Sequence, residues 1–332
     1  MKAAQQSEHF DVVNYEDDPR ISKGSREFLK VLNSPSPPEL EKLSPEDARQ
    51  VLVKAQASAV VDYSGIEESE KTIDADDFSI KLDIVRPEGV TEKLPVFVFV
   101  HGGGWVLGDY PTHRRLVRDL VVETGYAAVF VNYTPTPDKV FPTQINEIYA
   151  ATKWVAENGD EINVEGKNMA IAGNSVGGNM AAVTAIKAIE NGGPEIRSLV
   201  LFWPVTDTKT ATGSYQEFGE ARFLTKPLME WMFGMYASET ELKNDYYIAP
   251  IKAPDEILAK LPPTLIQVGE SDILHDEDEA FGRKLDELGV EVTTIRYNGM
   301  IHDFGLLNAL AEEPATKSLI RHAAAELKNR LG

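Results

Sequence analysis

Seven short apolar runs punctuate the chain, at residues 80–85, 96–100, 127–131, 169–172, 199–202, 265–268 and 292–295. From the second onward they alternate with stretches of helical periodicity. Strands joined by crossover helices are buried on both faces and read as nearly continuous apolar runs, so this alternation predicts an α/β fold: a mainly parallel central sheet flanked by helices. Between Pro204 and Pro250 the alternation stops. That interval holds a glycine-, serine- and threonine-containing loop over 206–214, then an amphipathic segment over 226–236. The chain up to about Ala59 is helical in part, with a proline-rich break over 34–38 and a helix start at Ser44-Pro45-Glu46-Asp47. There is no internal repeat and no low-complexity tract.

The run at 169–172 leads directly into Gly173-Asn174-Ser175-Val176-Gly177-Gly178, after which residues 179–189 read as an alanine-rich helix. A strand that reverses into a helix within a few residues strains the residue at the turn. Glycines two before and two after remove side chains that would collide there. This is the sequence of a nucleophile elbow, and it predicts a Ser175 hydroxyl held at a strand end, next to a helix N-terminus that favours negative charge. The run at 96–100 ends in His101-Gly102-Gly103-Gly104-Trp105. Successive glycines leave backbone N–H groups unobstructed, and such groups can bind the oxyanion of a tetrahedral intermediate. The expected donors are Gly103, Gly104 and the N–H of Val176, which begins a helix with its amide unpaired.

A serine hydroxyl needs a base, and the base needs an orienting group. Of six histidines, His9 lies in a polar N-terminal segment, His113 and His322 fall in helical charged stretches, and His101 belongs to the glycine loop as a structural hydrogen-bonder. His275 follows a strand end. His302 sits in a glycine-containing loop after the last strand, and the chain order serine, acid, histidine selects it. The acid is then sought in the loop after the preceding strand, which carries Glu270, Asp272 and Asp276. Asp272 is preferred, because Glu270 is still close to the strand end and Asp276 opens a helix expected over 276–288, where a carboxylate usually serves the dipole. The run His275-Asp276-Glu277-Asp278-Glu279 reads as a solvated helix N-terminus rather than a metal site. Asp303 adjoins the presumed base. Facing the imidazole it would raise the histidine pKa, but neighbours in an extended loop commonly point apart.

Together, the HGGGW segment, the elbow, Asp272 with Leu274 and Asp276-Glu277, and Gly299 with His302 and Phe304 resemble the hormone-sensitive-lipase-like esterases, bacterial family IV of the α/β-hydrolases. Asn132-Tyr133 through Pro137-Asp138 to Phe141-Pro142 resembles a further landmark of that family. The resemblance runs from about Phe78 to the C-terminus. It implies Ser175 as nucleophile, His302 as base, Asp272 as orienting acid and Gly103, Gly104 and Val176 as oxyanion donors. It also implies a catalytic domain over 60–203 and 251–332, with a helical cap formed by residues 1–59 and the insertion 204–250. The chain departs from the family pattern in Asn174-Ser175-Val176 for Asp-Ser-Ala, Thr134 for an arginine and Asp303 for a glycine. The expected reaction is hydrolysis of short- to medium-chain acyl esters through an acyl-enzyme. An amidase or arylacetamide deacetylase would use the same residues, and a noncatalytic receptor of this fold would have lost one of the three.

The stripe Leu228, Met232 and Met235 reads first as packing, while Phe223, Met232 and Tyr236 are candidates for an adaptable acyl pocket. Composition narrows the partners. The net charge of −20 argues against nucleic acid and anionic membranes, which demand a basic face, and suits a small neutral ester with water as co-substrate. A homodimer is left open. The absence of cysteine removes disulfides and thiolate metal sites. No cofactor or metal is expected, since serine hydrolysis needs neither. No apolar run is long enough to span a membrane. The first ten residues lack the apolar centre of a secretory signal, which makes a cytoplasmic location the expectation.

Overall fold

The structure, a computed structural model, describes residues 13–34 and 39–332. His9 and most of the proline-rich break fall outside those residues. Eight strands form one sheet in the order β1-β2-β4-β3-β5-β6-β7-β8. They are β1 Ile66–Ala75, β2 Phe78–Pro87, β3 Leu94–Val100, β4 Ala127–Asn132, β5 Val164–Asn174, β6 Leu199–Phe202, β7 Thr264–Ser271 and β8 Val292–Ile301. β1 and β2 are antiparallel to their neighbours, and the six strands from β4 to β8 run parallel.

The helices are α1 Lys23–Leu32, α2 Pro45–Ala57, α3 Tyr110–Thr124, α4 Thr143–Asn158, α5 Val176–Asn191, α6 Gly213–Phe218, α7 Lys226–Tyr236, α8 Glu239–Asn244, α9 Asp255–Leu258, α10 His275–Glu287 and α11 Pro314–Leu331. Side-chain alternation along the strands divides the interior in two. Val96, Val98, Val100, Ile171, Leu201, Ile266 and Val268 pack with residues of α4, α5 and α10. Phe97, Phe99, Phe130, Ala172, Val200 and Phe202 pack with α3 and α11. This is the period-2 pattern of a sheet covered on both faces, and it fits the α/β-hydrolase fold. Each large apolar side chain so buried contributes roughly 1.5–3 kcal/mol.

Three local features differ from the sequence reading. β1 carries Glu67, Glu68, Glu70, Lys71 and Asp74 and so gives no apolar signal. It is an edge strand held by its ladder with β2 and open to solvent along most of its length. β8 extends through Gly299 to Ile301, so His302 follows the strand directly. The acidic start of α10 is not solvated: Glu277 and Asp278 are 3% and 0% exposed. The chain leaving β6 crosses this helix end, where Glu277 Oε1 accepts from the N–H groups of Thr206 at 2.8 Å and Asp207 at 3.2 Å. Burial pushes both carboxyls well above the usual carboxylate range. Asp276 stays partly exposed and accepts from Ser214 N–H at 2.8 Å.

Candidate active site

Ser175 is the single residue between β5 and α5, with φ 54° and ψ −124°. The turn is tight because β5 and α5 close against the end of β3. A Cβ on Gly177 would lie 2.1 Å from the Val100 carbonyl oxygen, and one on Gly173 would lie 2.4 Å from that of Gly177. Only glycine lets the elbow approach this closely. The backbone is held from β6 as well, with Ser175 N–H donating to Phe202 O at 2.9 Å and Val205 N–H donating to Ser175 O at 3.2 Å.

The end of β8 delivers His302 and the end of β7 delivers Asp272. His302 Nε2 lies 3.1 Å from Ser175 Oγ, and Nδ1 lies 2.7 Å from Asp272 Oδ2. A carboxylate oxygen accepts, so the proton of the neutral imidazole sits on Nδ1 and Nε2 faces the hydroxyl with its lone pair. Asp272 Oδ1 accepts from Leu274 N–H at 3.0 Å, which fixes the carboxylate plane. Burial works against the charged form of His302, but the Asp272 and Asp303 carboxylates outweigh it and hold the pKa above the ordinary histidine value.

Asp303 does not point away. Its φ is 60°, so the chain turns there instead of continuing extended, and neighbouring side chains come to one side. Oδ2 lies 4.0 Å from His302 Nε2. Oδ1 accepts from Trp203 Nε1 at 2.7 Å and from Asn174 Nδ2 at 3.1 Å. Burial raises the Asp303 pKa, opposed by His302 and these two donors. Asn174 spends its other end on the glycine loop, accepting from Gly102 N–H at 3.0 Å. The sequence marks Asn174 only as a departure from the family's elbow and gives Trp203 no role; what neither position shows is the side-chain contact each makes with Asp303.

In the HGGGW loop, Val106 and Leu107 N–H groups donate to the Gly103 carbonyl. The turn therefore runs through that carbonyl and not through the amides of Gly103 and Gly104, both at positive φ on the wall of the cavity. A Cβ on Gly104 would overlap Met232 Sδ at 2.0 Å. His101 is buried beneath the loop, stacked on Tyr133 at 4.1 Å between ring centroids, with Nδ1 donating to Gly102 O at 2.8 Å. His113 lies against it and is buried, not on a charged surface. His322 is tied to the Tyr297 hydroxyl at 2.7 Å, outside the cavity.

Ser175, His302, Asp303, Gly103 and Gly104 open onto a cavity of about 280 Å³, walled by Leu40, Leu52, Phe223, Leu224, Leu228 and Met232 among others. Phe223 and Met232 thus line the cavity onto which Ser175 opens. Tyr236 does not: it lies one turn beyond Met232 on the same helix face, fully buried and stacked on Trp105 at 4.1 Å, and does not line the cavity. A larger depression of about 640 Å³, lined by Lys153, Glu157 and Lys167, is an open surface feature and holds none of these groups. Among the described residues no cluster of three or more His, Asp or Glu side chains could hold a metal ion, and no helix is long and apolar enough to cross a membrane.

Comparison with known proteins gives the family of the chain. A model of the alpha/beta hydrolase fold family matches residues 97–306. The chain is similar to a thermostable esterase from Pseudomonas putida ECU1011, with 54% identity, a TM-score of 0.93 and coverage of 95% of this chain and 98% of that one. It is 31% identical to the carboxylesterase NlhH of Mycobacterium tuberculosis, over 79% of this chain and 82% of the relative. The chain belongs to the hormone-sensitive-lipase-like family IV carboxylesterases. It is a carboxylic ester hydrolase of the α/β-hydrolase fold. A further family relative is the ethyl acetate hydrolase of Pseudomonas putida, 29% identical over 65% of this chain and 68% of the relative.

Proposed function

We propose that this esterase works by two-step acyl transfer through Ser175, His302 and Asp272. The observation that carries the reading is the continuous contact from Ser175 Oγ through both nitrogens of His302 to Asp272, at 3.1 Å and 2.7 Å, on the wall of one apolar cavity. His302 Nε2 takes the hydroxyl proton as Oγ attacks the ester carbonyl carbon. The electron pair moves onto the carbonyl oxygen, which is met by the N–H groups of Gly103, Gly104 and Val176. Collapse expels the alcohol oxygen, which receives the proton from Nε2. Water then repeats the sequence on the acyl-enzyme and releases the acid and free serine. Asp272 holds the tautomer and answers the transient imidazolium charge.

The preferred acyl groups are short to medium. A cavity of about 280 Å³ lies just below the usual range for small-molecule sites, which begins at about 300 Å³, and one family relative is named for an ester of acetic acid. The described residues of 1–59 and the insertion 204–250 act as the cap: Leu40 and Leu52 from the first and Phe223, Leu228 and Met232 from the second wall the cavity over the serine. The test is a rate series over p-nitrophenyl esters of increasing acyl length with one matched anilide. Rates should peak between acetyl and hexanoyl, disappear in Ser175→Ala and be far lower on the anilide. A peak at palmitoyl would contradict the chain-length reading, and a faster anilide would make the protein an amidase.

A further inference from the structure

Among the described residues, Asp303 is the one carboxylate beside the base that the acyl-transfer steps do not use. Its two oxygens differ. Oδ1 is occupied by Trp203 Nε1 and Asn174 Nδ2, which fixes the plane of the group. Oδ2 has no such donor, faces the cavity that Asp303 helps to line, and lies 4.0 Å from His302 Nε2. An ionised carboxylate can accept about four hydrogen bonds, so Oδ2 is a fixed, free acceptor.

Its position decides what it can accept. In the reaction read above, on which this inference rests, the departing alcohol oxygen must come within hydrogen-bond reach of Nε2 to receive its proton. A hydroxyl on the neighbouring carbon of that alcohol lies about one hydrogen-bond length from the ester oxygen. Turned towards Asp303, it can reach Oδ2, which lies 4.0 Å from the same nitrogen. The rest of the lining is apolar apart from Asn33, Thr225 and two acids: Glu39 and Glu41 stand on the cavity wall contributed by the N-terminal segment, Glu39 paired with Lys42, and among the described lining residues there is no lysine or arginine. An anionic group placed beside Oδ2 would meet a like charge with no cation lining the wall to answer it, at reduced dielectric, where such contacts are costly.

We propose that Asp303 is a specificity-determining residue for the alcohol side of the substrate. It selects esters whose alcohol carries a vicinal hydroxyl, as in monoesters of diols and polyols, and rejects esters whose alcohol carries a carboxylate. Wild type and Asp303→Asn are compared on three butyrates: ethyl, 2-hydroxyethyl and carboxymethyl. Asparagine tolerates positive φ and keeps an acceptor for Trp203 and Asn174, but replaces Oδ2 by a donor. Each kcat/KM is divided by that of ethyl butyrate on the same protein, which cancels any effect on the base itself. Wild type should favour the hydroxyethyl ester by about tenfold and disfavour the carboxymethyl ester by at least about tenfold, the range for a hydrogen bond to a charged group. In Asp303→Asn both ratios should move towards one, the hydroxyethyl ratio falling and the carboxymethyl ratio rising. Should that variant not fold, Asp303→Gly is read the same way, since glycine accepts the same φ. Ratios unchanged between wild type and variant, with hydrolysis dependent on Ser175, overturn the role of Asp303 alone. Hydrolysis of the three esters that survives Ser175→Ala overturns the active-site reading and this inference with it.

Discussion

His101 and His302 each follow the C-terminal end of a strand of the same sheet and each is 2% exposed, yet they are driven in opposite directions. His101 lies among Phe130, Tyr133 and His113, with a backbone carbonyl for its Nδ1 proton, and burial pushes its pKa down to about 4. His302 is equally dry, but Asp272 and Asp303 overcome the cost of burial and raise its pKa. Burial alone makes a histidine a neutral structural element. Burial with a hydrogen-bonded carboxylate makes it a base that can hold a proton for the length of a reaction step.

The largest consequence concerns the residues that share that proton. Ser175→Ala and His302→Ala should each lower kcat by about 10⁶-fold, and the double variant should lose little more, because either change already disables one step. Losses that multiply would mean that the two side chains act separately. Asp272→Asn should lower kcat by about 10⁴-fold with the circular dichroism spectrum unchanged, since the imidazole loses the partner that sets its tautomer. Asp276→Asn should cost only a few-fold. The reverse order would place the orienting acid one helical turn further along.

The structural histidine should reveal itself in stability instead of rate. Its folded pKa of about 4 lies below the ordinary 6.5, so the unfolded chain takes up a proton that the native state refuses as pH falls through this interval. The contribution is present above pH 6.5 and is lost towards pH 4, on the order of 3 kcal/mol. Urea titrations at the two ends of that range, compared between wild type and His101→Gln, should show the variant losing less on acidification; parallel losses would contradict the assignment. His302 has the opposite sign. Its raised folded pKa stabilises the native state at low pH, and that contribution fades as pH rises through the folded value.

The smallest effect is on the pH profile. Because Asp303 faces the imidazole, Asp303→Asn should move the acid limb of kcat/KM to lower pH by about one unit. High salt should leave the shift in place, as both groups are buried. Superimposable limbs would mean that Asp303 exerts no field on the base.

Most of the sheet could be read from the chain because its parallel strands are buried on both faces and must be apolar. β1 escaped notice because an edge strand is held by backbone bonds that leave no mark on side chains. Within the site, the glycines flanking Ser175 are required by contacts near 2 Å, and such necessity is visible as a motif. Asn174, Trp203 and Asp303 meet through side-chain geometry between residues far apart in sequence, or through a turn where extended backbone was assumed. Glu277 and Asp278 read as surface residues in the sequence because helix position alone does not tell which segment will cross over them. Tyr236 is a pocket candidate only because aromatic side chains suit an adaptable pocket, and residue type does not tell that Trp105 will stack over the ring.

The central claim is that Ser175 becomes the covalent acyl carrier when His302 takes its proton. Its most direct test is trapping with a p-nitrophenyl alkylphosphonate, followed by intact-mass and peptide analysis. The account predicts one phosphonyl group per chain, on Ser175, with a labelling rate that falls along the same acid limb as kcat/KM and labelling nearly absent in His302→Ala. A label on a different side chain, or labelling of Ser175 that is as fast without His302, would contradict it.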